Sequence, residues 1–392
     1  MAKRKVSRVV AIFAVVVGIL IGLEMNLAVS FPAIAKGYVW GHSPLFDRDE
    51  FFRTLNRAVN YYAVGQGDSV IFLDPHNESE PQVRDMRYLI LQGVDGILTS
   101  PVSSVAMVGP IEEAVAKGIP VVTYNTDSPT DKVSICVSVS NKMLGRASAE
   151  LLIQRMKAAG VELKGMVFID GGDQSWEQAR DRTAGMVEVF EKYPGLEIHK
   201  YWNKGWDLAK AKNTAYQFVK SFGRPLIASG VNCTTDAGLL AGLDAAGMLK
   251  PTGDPEHIWT NMIDCPSEVK EGMHKGYVDA AVDQPNLIYG VLSVYFLKLI
   301  KEKGKDALPP VGVTVISDPS KPEGLQPDGK WNIVIPGPSV FEGVDVLAQK
   351  WTPCPVVEVN GHRWIQVLPY KITPEKVDAA PIWSNIAKKW LH

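Results

Sequence analysis

The sequence lacks several features that would indicate catalysis. Neither the G-x-G-x-x-G pattern nor the P-loop pattern of nucleotide-binding loops occurs in it. The seven histidines are scattered without an H-E-x-x-H motif, and there is no G-x-S-x-G elbow. A Ser-His-Asp triad built from distant residues stays open at this stage. We nevertheless predict a protein that is not an enzyme, with no catalytic residue, metal or cofactor.

An excess of positive charge is also missing. The chain holds 41 basic and 43 acidic residues, for a formal net charge of −2. Nucleic acids and anionic membranes attract proteins that concentrate positive charge on one surface. We therefore expect no nucleic-acid partner.

Cysteine is scarce, with only Cys136, Cys233, Cys265 and Cys354 in the whole chain. Their spacing matches no zinc-binding pattern. In an oxidising compartment four cysteines can pair in three ways. Buried free thiols are an equally good interpretation, because a chain of this length does not need disulfides to fold.

The longest apolar run lies at the N-terminus. Four basic residues within the first eight positions precede the uncharged run Val9–Leu23, and the small-x-small sequence Ala33–Ala35 follows. This order is typical of a secretory signal peptide, since the run is shorter than the roughly 20 residues that span a bilayer. We predict a signal peptide over 1–35 and a periplasmic or other extracytoplasmic location. An uncleaved membrane anchor is the alternative.

Short apolar runs alternate with helical patterns along the rest of the chain. In one unit the strand 96–99, a helix over 105–117 and the strand 119–124 form a βαβ motif, which requires a parallel sheet. Its second strand ends at Asn125, Thr126 and Asp127. Ligands of open parallel sheets bind beyond the carboxyl ends of the strands, so we expect these residues to face a cleft.

The same alternation of strands and helices predicts two lobes. At 392 residues the chain is too long for one ordinary core, and the βα repeats restart at a helix near residue 142. The fold class is therefore α/β, with two doubly wound Rossmann-like lobes. We predict 36–140 as the first lobe and 141–283 as the second. Frequent prolines predict an irregular extension over 305–392, with room for a β-hairpin in 305–368.

Polar and aromatic residues recur where the predicted strands end. The set is Asp49 with Phe51 and Phe52, Asn125 with Asp127, Trp176 with Arg180, Trp206 with Asp207, Asn232, Asp264, and Asp283 with Gln284. Forked polar groups can bind adjacent hydroxyls, and aromatic faces pack on the C–H faces of a sugar. Together they indicate a neutral polyhydroxy ligand. Taken singly, Trp206 could be a core residue, Asp264 a helix cap and Asp283 a solvated turn residue.

Four landmarks in order resemble one protein family. They are EFF at Glu50–Phe52, GVDGILTSP with GIPVVTYN between 93 and 125, A-R-D-R-x-x-G-M at Ala179–Met186, and V-D-Q-P at Val282–Pro285. The chain resembles the periplasmic sugar-binding proteins of ABC transporters, of the ribose/galactose type, over roughly 45–305. The run Ile372–Asp378 is similar to the closing motif of that family. The resemblance implies a three-segment hinge, with crossings near Ser140-Asn141, near Asp283-Gln284 and just after Lys303. These crossings would return about 284–304 to the first lobe.

The resemblance also implies roles for individual residues. The ligand-binding set is Asp49, Phe51, Phe52, Asn125, Thr126, Asp127, Trp176, Arg180, Trp206, Asn232, Asp264 and Gln284. In it Arg180 would be the hydroxyl-binding arginine, and Trp206 the stacking aromatic. Asn125 and Thr126 stand where the family commonly has Asp and Arg, so ligand preference is expected to depend on them.

The implied function is capture of a sugar or polyol by a monomer, and its delivery to a membrane permease. A sensory receptor that presents its closed form to a chemoreceptor or histidine kinase is the alternative. Because Cys233 and Cys265 would follow neighbouring strands of the second lobe, the resemblance also suggests a disulfide between them.

Overall fold

The computed structural model describes residues 37–391, so the predicted signal peptide lies outside the described residues. Between residues 37 and 391, no helix is both long enough and apolar enough to cross a bilayer.

Five parallel strands form one half of the first lobe's sheet, in the order β5-β4-β3-β1-β2, and β2 is the edge strand. The strands are β1 (Val39–Ser43), β2 (Ser69–Phe72), β3 (Gly96–Thr99), β4 (Val121–Tyr124) and β5 (Ile135–Ser138). The helices between them are α1 (Glu50–Gly65), α2 (Ser79–Gln92) and α3 (Val108–Ala116). Every residue of β3, β4 and β5 is buried, as expected for parallel strands that are covered on both faces.

The second lobe repeats this architecture, with strand order β10-β9-β8-β6-β7. Its strands are β6 (Gly165–Asp170), β7 (Leu196–Tyr201), β8 (Ile227–Ser229), β9 (Trp259–Ile263) and β10 (Ala280–Asp283). Its helices are α4 (Asn141–Ala158), α5 (Glu177–Phe190), α6 (Leu208–Phe222), α7 (Cys233–Ala245) and α8 (Ser267–His274). The next helix, α9 (Asn286–Lys303), returns to the first lobe and packs on α1 and on β3 to β5.

The extension contains more regular structure than the sequence predicts. Short strands come first: β11 (Thr314–Ile316), β12 (Gly324–Leu325), β13 (Trp331–Asn332), β14 (Val340–Phe341) and β15 (Val344–Asp345). A hairpin of β16 (Cys354–Val359) and β17 (His362–Gln366) follows, and β17 pairs in parallel with β5. β18 (Tyr370–Ile372) then pairs antiparallel with β10. The extension therefore completes the sheets of both lobes.

The third hinge crossing lies elsewhere than predicted. The chain stays in the first lobe after Lys303, and it crosses to the second lobe between β17 and β18, at 367–369. The prediction of a crossing just after Lys303 was wrong. The reason is that β17 finds its partner β5 far back in the sequence, and no local pattern around His362 signals that pairing.

The chain ends in a C-terminal tail, defined here as residues 373–391. It contains a 3-10 helix (Pro374–Ala379), the short helix α10 (Trp383–Ile386) and a second 3-10 helix (Lys388–Trp390).

Candidate ligand-binding site

A cavity lies between the lobes, at the edge where strands of both sheets end. It is lined by Leu45, Phe46, Asp49, Phe51, Phe52, Asn125, Trp176, Gln178, Arg182, Trp206, Asn232, Cys233, Asp264 and Gln284. Asn125 directly follows β4, Asp264 follows β9 and Gln284 follows β10. Parallel strands end at the same edge of a sheet, so these side chains converge. Nine of the twelve predicted site residues line this cavity.

The rims of the two lobes touch across the cleft. The backbone N–H of Ser267 donates to Glu50 Oε2 at 3.2 Å, and its hydroxyl donates to Glu50 Oε1 at 3.0 Å. On another part of the rim, the Gln178 side chain donates to the Thr126 hydroxyl. The structure therefore shows the lobes in a closed arrangement.

The closed cavity is narrow. Its free volume is about 30 Å³, whereas one water molecule needs roughly 10–15 Å³ by the same measure. A wider space of about 850 Å³ lies further out between the lobes and shares the walls Trp176 and Gln178 with the cavity. A ligand the size of a sugar ring can therefore occupy the inner cavity only if its walls move apart.

Aromatic rings form two opposite walls. On the first lobe, the Phe52 ring centroid lies 4.8 Å from that of Phe46 and 5.2 Å from that of Phe51. On the second lobe, the rings of Trp176 and Trp206 meet edge to face at 5.2 Å. Such rigid apolar faces can hold a flat ligand ring between them and keep water out.

Two carboxyl groups face the cavity from opposite lobes. Asp49 caps α1, since its Oδ1 accepts the Phe52 N–H at 2.8 Å. Asp264 Oδ1 accepts from Gln284 Nε2 at 2.7 Å. Burial raises the pKa of Asp49 from 3.8 to about 6. Burial also raises the pKa of Asp264, against the lowering effect of the nearby Arg182 guanidinium.

Arg182, on α5, supplies a buried guanidinium to the cavity, and only 4% of the residue is exposed. Its Nε donates to Asn141 Oδ1 at 3.0 Å and its Nη1 to the Val231 carbonyl at 2.9 Å. Its Nη2 reaches Gln284 Oε1 at 3.3 Å. These bonds fix the orientation of the guanidinium plane and connect it to the hinge crossing at Gln284.

The combination of two Rossmann-like lobes, three crossings and an interlobe cavity matches a known family. A family model described as a periplasmic binding protein domain matches residues 41–306, which is more than half of the chain. The chain belongs to this family. The resemblance predicted from the four sequence landmarks is confirmed.

Individual relatives of this periplasmic binding protein point the same way. A ribose import binding protein of Bacillus subtilis (strain 168) is 36% identical over 224 residues, which cover 52% of this chain and 72% of the relative. A xylitol-binding protein of Mycolicibacterium smegmatis is 25% identical over 205 residues, 52% of this chain and 57% of the relative. The chain thus spans little more than half of the second relative's length.

Solved structures confirm the fold. An ABC transporter solute binding protein of Bacillus halodurans C-125 with bound myo-inositol superposes with a TM-score of 0.64 at 20% identity. The match covers 88% of this chain and 97% of the other. The predicted α/β fold with two doubly wound lobes is confirmed.

The structure places Arg180 outside the cavity of this periplasmic binding protein. Arg180 is exposed, and its Nη1 donates to the Gln174 carbonyl at 2.9 Å. Residues two positions apart on a helix point in nearly opposite directions, so Arg180 and Arg182 cannot both face inward. The sequence spacing could have indicated that Arg182 is the inward-facing arginine. Arg182 lies three residues after Ala179 and four before Met186, which places all three on one face of the helix, and both neighbours are fully buried.

Thr126 and Asp127 are also absent from the lining. Asp127 is engaged in the first lobe, where it accepts from Thr123 Oγ1 at 2.8 Å and lies 2.9 Å from His362 Nε2 on β17. Thr126 instead contacts Gln178 at the rim. Of the two residues expected to set ligand preference, only Asn125 is a wall of the cavity.

Three wall residues have unusual backbone conformations. Asn125, Trp206 and Asp264 have positive φ angles of 59°, 48° and 75°. Non-glycine residues rarely adopt this region, and such strain concentrates where the surrounding fold must hold a side chain in one direction. Here it aims an amide, an indole and a carboxyl into one cavity.

The suggested disulfide does not form. Cys233 and Cys265 are both buried free thiols. Cys233 starts α7 at the cavity, with its Sγ 3.8 Å from Asp49 Oδ2, whereas Cys265 lies in the apolar cluster that packs against α6 to α8. Neighbouring strand ends therefore point these two side chains to different sides of the sheet.

Among residues 37–391, no group of three or more His, Cys, Asp or Glu could hold a metal ion.

We expect Asp49→Asn to stabilise the free protein in a pH-dependent way. The folded state binds the Asp49 proton more tightly than the unfolded state, because the pKa is raised from 3.8 to about 6. The wild type therefore loses stability through this group as the pH rises across that window, and the loss is constant above it. Asparagine keeps the α1 cap but cannot ionise.

The measurement is the melting temperature of both proteins between pH 4 and pH 7.5. The difference in favour of Asp49→Asn should grow up to about pH 6 and then level off. A difference that stays constant over the whole range contradicts the prediction.

Proposed function

We propose that this protein is an exported, non-enzymatic solute receptor. It captures a neutral sugar or polyol between its lobes and delivers it to an ABC-type membrane permease. The observation that carries the proposal is the cavity itself, where aromatic walls and forked polar groups face one another at the strand ends. The relatives named for ribose import and xylitol binding support the ligand class.

The proposed contacts of each cavity residue with the ligand follow from the chemistry of its side chain. Phe51 and Phe52 on one side and Trp206 on the other would pack on the C–H faces of the ligand. Its hydroxyls would bond to polar groups of the lining, namely the indole N–H of Trp176 and the side chains of Asp49, Asn125, Gln178, Arg182, Asn232, Asp264 and Gln284. Binding of this kind breaks no covalent bond in the ligand.

The charges in the cavity favour a neutral ligand. Its lining contains two carboxyl groups, Asp49 and Asp264, and only one guanidinium, that of Arg182. An anionic ligand such as a sugar acid or a sugar phosphate would meet two like charges once both carboxyl groups ionise. We therefore expect uronic acids and sugar phosphates to bind more weakly than the corresponding neutral sugars.

Closure explains how capture can be signalled to a permease. A ligand that touches both lobes would favour a closed arrangement once the cavity walls have moved apart to admit it. The rims of the lobes meet there at Glu50 with Ser267 and at Thr126 with Gln178. The permease would then recognise the closed surface. The family description as periplasmic agrees with an extracytoplasmic location, and residues 1–35 would direct export as a signal peptide.

A thermal-shift screen of the protein lacking residues 1–35 tests the proposal. The panel contains D-ribose, D-galactose, xylitol and myo-inositol, with D-glucuronate, ribose 5-phosphate and several amino acids as contrasts. A ligand present at about 100 times its Kd should raise the melting temperature by about 3–5 °C. If an amino acid shifts the melting temperature and no polyhydroxy compound does, the proposed ligand class is wrong.

A further inference from the structure

The C-terminal tail is attached to the second lobe by polar contacts. The Arg155 guanidinium on α4 makes two bonds to Glu375, at 3.0 and 2.8 Å. On α8, Lys270 lies 3.1 Å from Asp378 and donates to Asn385 Oδ1 at 2.6 Å. Bidentate and paired contacts of this kind define the path of the tail along the lobe.

The end of the tail is attached to the first lobe. The Trp390 carbonyl accepts from Arg57 Nη1 at 2.6 Å, and the Trp390 ring stacks on Tyr61 with centroids 5.4 Å apart. Both partners lie on α1, the helix that begins at Asp49 and Glu50 on the rim of the cleft. The tail therefore connects the lobes in addition to the three covalent crossings.

Trp383 lies where the tail passes from one lobe to the other, and it is fully buried. Its ring meets Phe51 edge to face, with centroids 6.3 Å apart. Its backbone N–H donates to Asp283 Oδ2 at 3.4 Å, and Asp283 Oδ1 accepts from the Cys265 N–H at 3.2 Å. Trp383 itself does not line the cavity. Phe51 does, and so do Gln284, which follows Asp283, and Asp264, which precedes Cys265.

We propose that Trp383 is a positioning residue for the ligand cavity. It supports the Phe51 ring from behind and holds the turn at Asp283 and Gln284, while the tail keeps it in place from both lobes. The proposal rests on the proposed function in one respect, namely that the cavity formed by Phe51 and Gln284 binds the ligand. In this protein the binding wall then depends on a segment outside the two βα lobes.

Hydrogen exchange tests the proposal without any ligand. In the free protein, Trp383→Ala should accelerate exchange of the amides in residues 45–56 by about two- to tenfold, the factor that corresponds to one lost aromatic pair. Trp383→Phe should restore most of the protection, because a smaller ring still packs on Phe51. Trp351→Ala is the matched control, since Trp351 is also buried but lies before β16 and outside the tail, where its carbonyl accepts from the Leu368 N–H. Equal rates in Trp383→Ala and Trp351→Ala overturn the proposal.

A surface variant covers the case in which Trp383→Ala does not fold. Arg57→Ala removes only the exposed anchor of the tail end, and should accelerate the same amides in the same direction by a smaller factor. Rates in Arg57→Ala that match the wild type then overturn the proposal.

Affinity provides the functional readout. With D-ribose, xylitol and myo-inositol as probes, Trp383→Ala should weaken the tightest binding two- to tenfold at a temperature where it is folded, and Trp351→Ala should not. If the wild type binds none of the three probes, the proposed ligand class is in error, while the exchange rates still decide the role of Trp383. Weakened binding in both variants, or in neither, counts against a positioning role.

Discussion

Replacing Arg182 by alanine is expected to weaken ligand binding by about two to three orders of magnitude, or about 3–4 kcal/mol. The guanidinium lies inside the cavity and is bonded to Asn141, the Val231 carbonyl and Gln284. Its removal would leave ligand hydroxyls and protein acceptors unpaired in a closed site, and a buried polar group without a partner is costly. Isothermal titration with the best compound of the thermal-shift panel measures the change.

Arg180→Ala is the matched control for this prediction. Both arginines belong to α5, but Arg180 is exposed and bonds only to the Gln174 carbonyl. Its removal should change the affinity by less than about twofold, as expected for a surface group away from the ligand. Arg180 lines the wider outer space between the lobes. If Arg180→Ala abolishes binding and Arg182→Ala does not, the ligand binds in that outer space.

Replacing Gly145 by alanine is expected to lower the free energy of unfolding by about 3 kcal/mol. Gly145 lies where α4 crosses α5, and a Cβ built on it would lie 1.9 Å from the Arg182 carbonyl oxygen. Gly185 faces the same crossing, where its Cβ would lie 2.2 Å from the Lys142 carbonyl oxygen. Because backbone blocks the space, the helices must separate, and Arg182 must move with α5. Urea denaturation measures the loss, and the ligand affinity should fall as well.

Gly109→Ala controls for the helix propensity of the new residue. Gly109 lies in α3, and a Cβ built on it would meet nothing within 4 Å. Alanine there should leave the stability unchanged or raise it by up to about 1 kcal/mol. A Gly145→Ala protein as stable as Gly109→Ala would show that the two helices do not make this close contact.

The sequence by itself determined the two lobes and most of the cavity wall. β3 has the predicted bounds 96–99 and β4 ends at the predicted residue 124, because each strand is specified by its own apolar run and end signals. Asn125, Asp264 and Gln284 could be placed at the site because they follow buried parallel strands directly. All such strands end at one edge of the sheet, so position along the chain was sufficient.

Only the tertiary structure decided which arginine enters the cavity. Arg180 and Arg182 belong to the same motif, and the choice depends on how α5 rotates against α4, which Gly145 and Gly185 allow to pack closely. Pairing of β17 with β5, and therefore the third crossing, likewise depends on a partner far away in the sequence. The contact of Trp383 with Phe51 is of the same kind. Local patterns specify elements and their ends, whereas helix rotation and long-range pairing depend on surfaces that meet only in the folded chain.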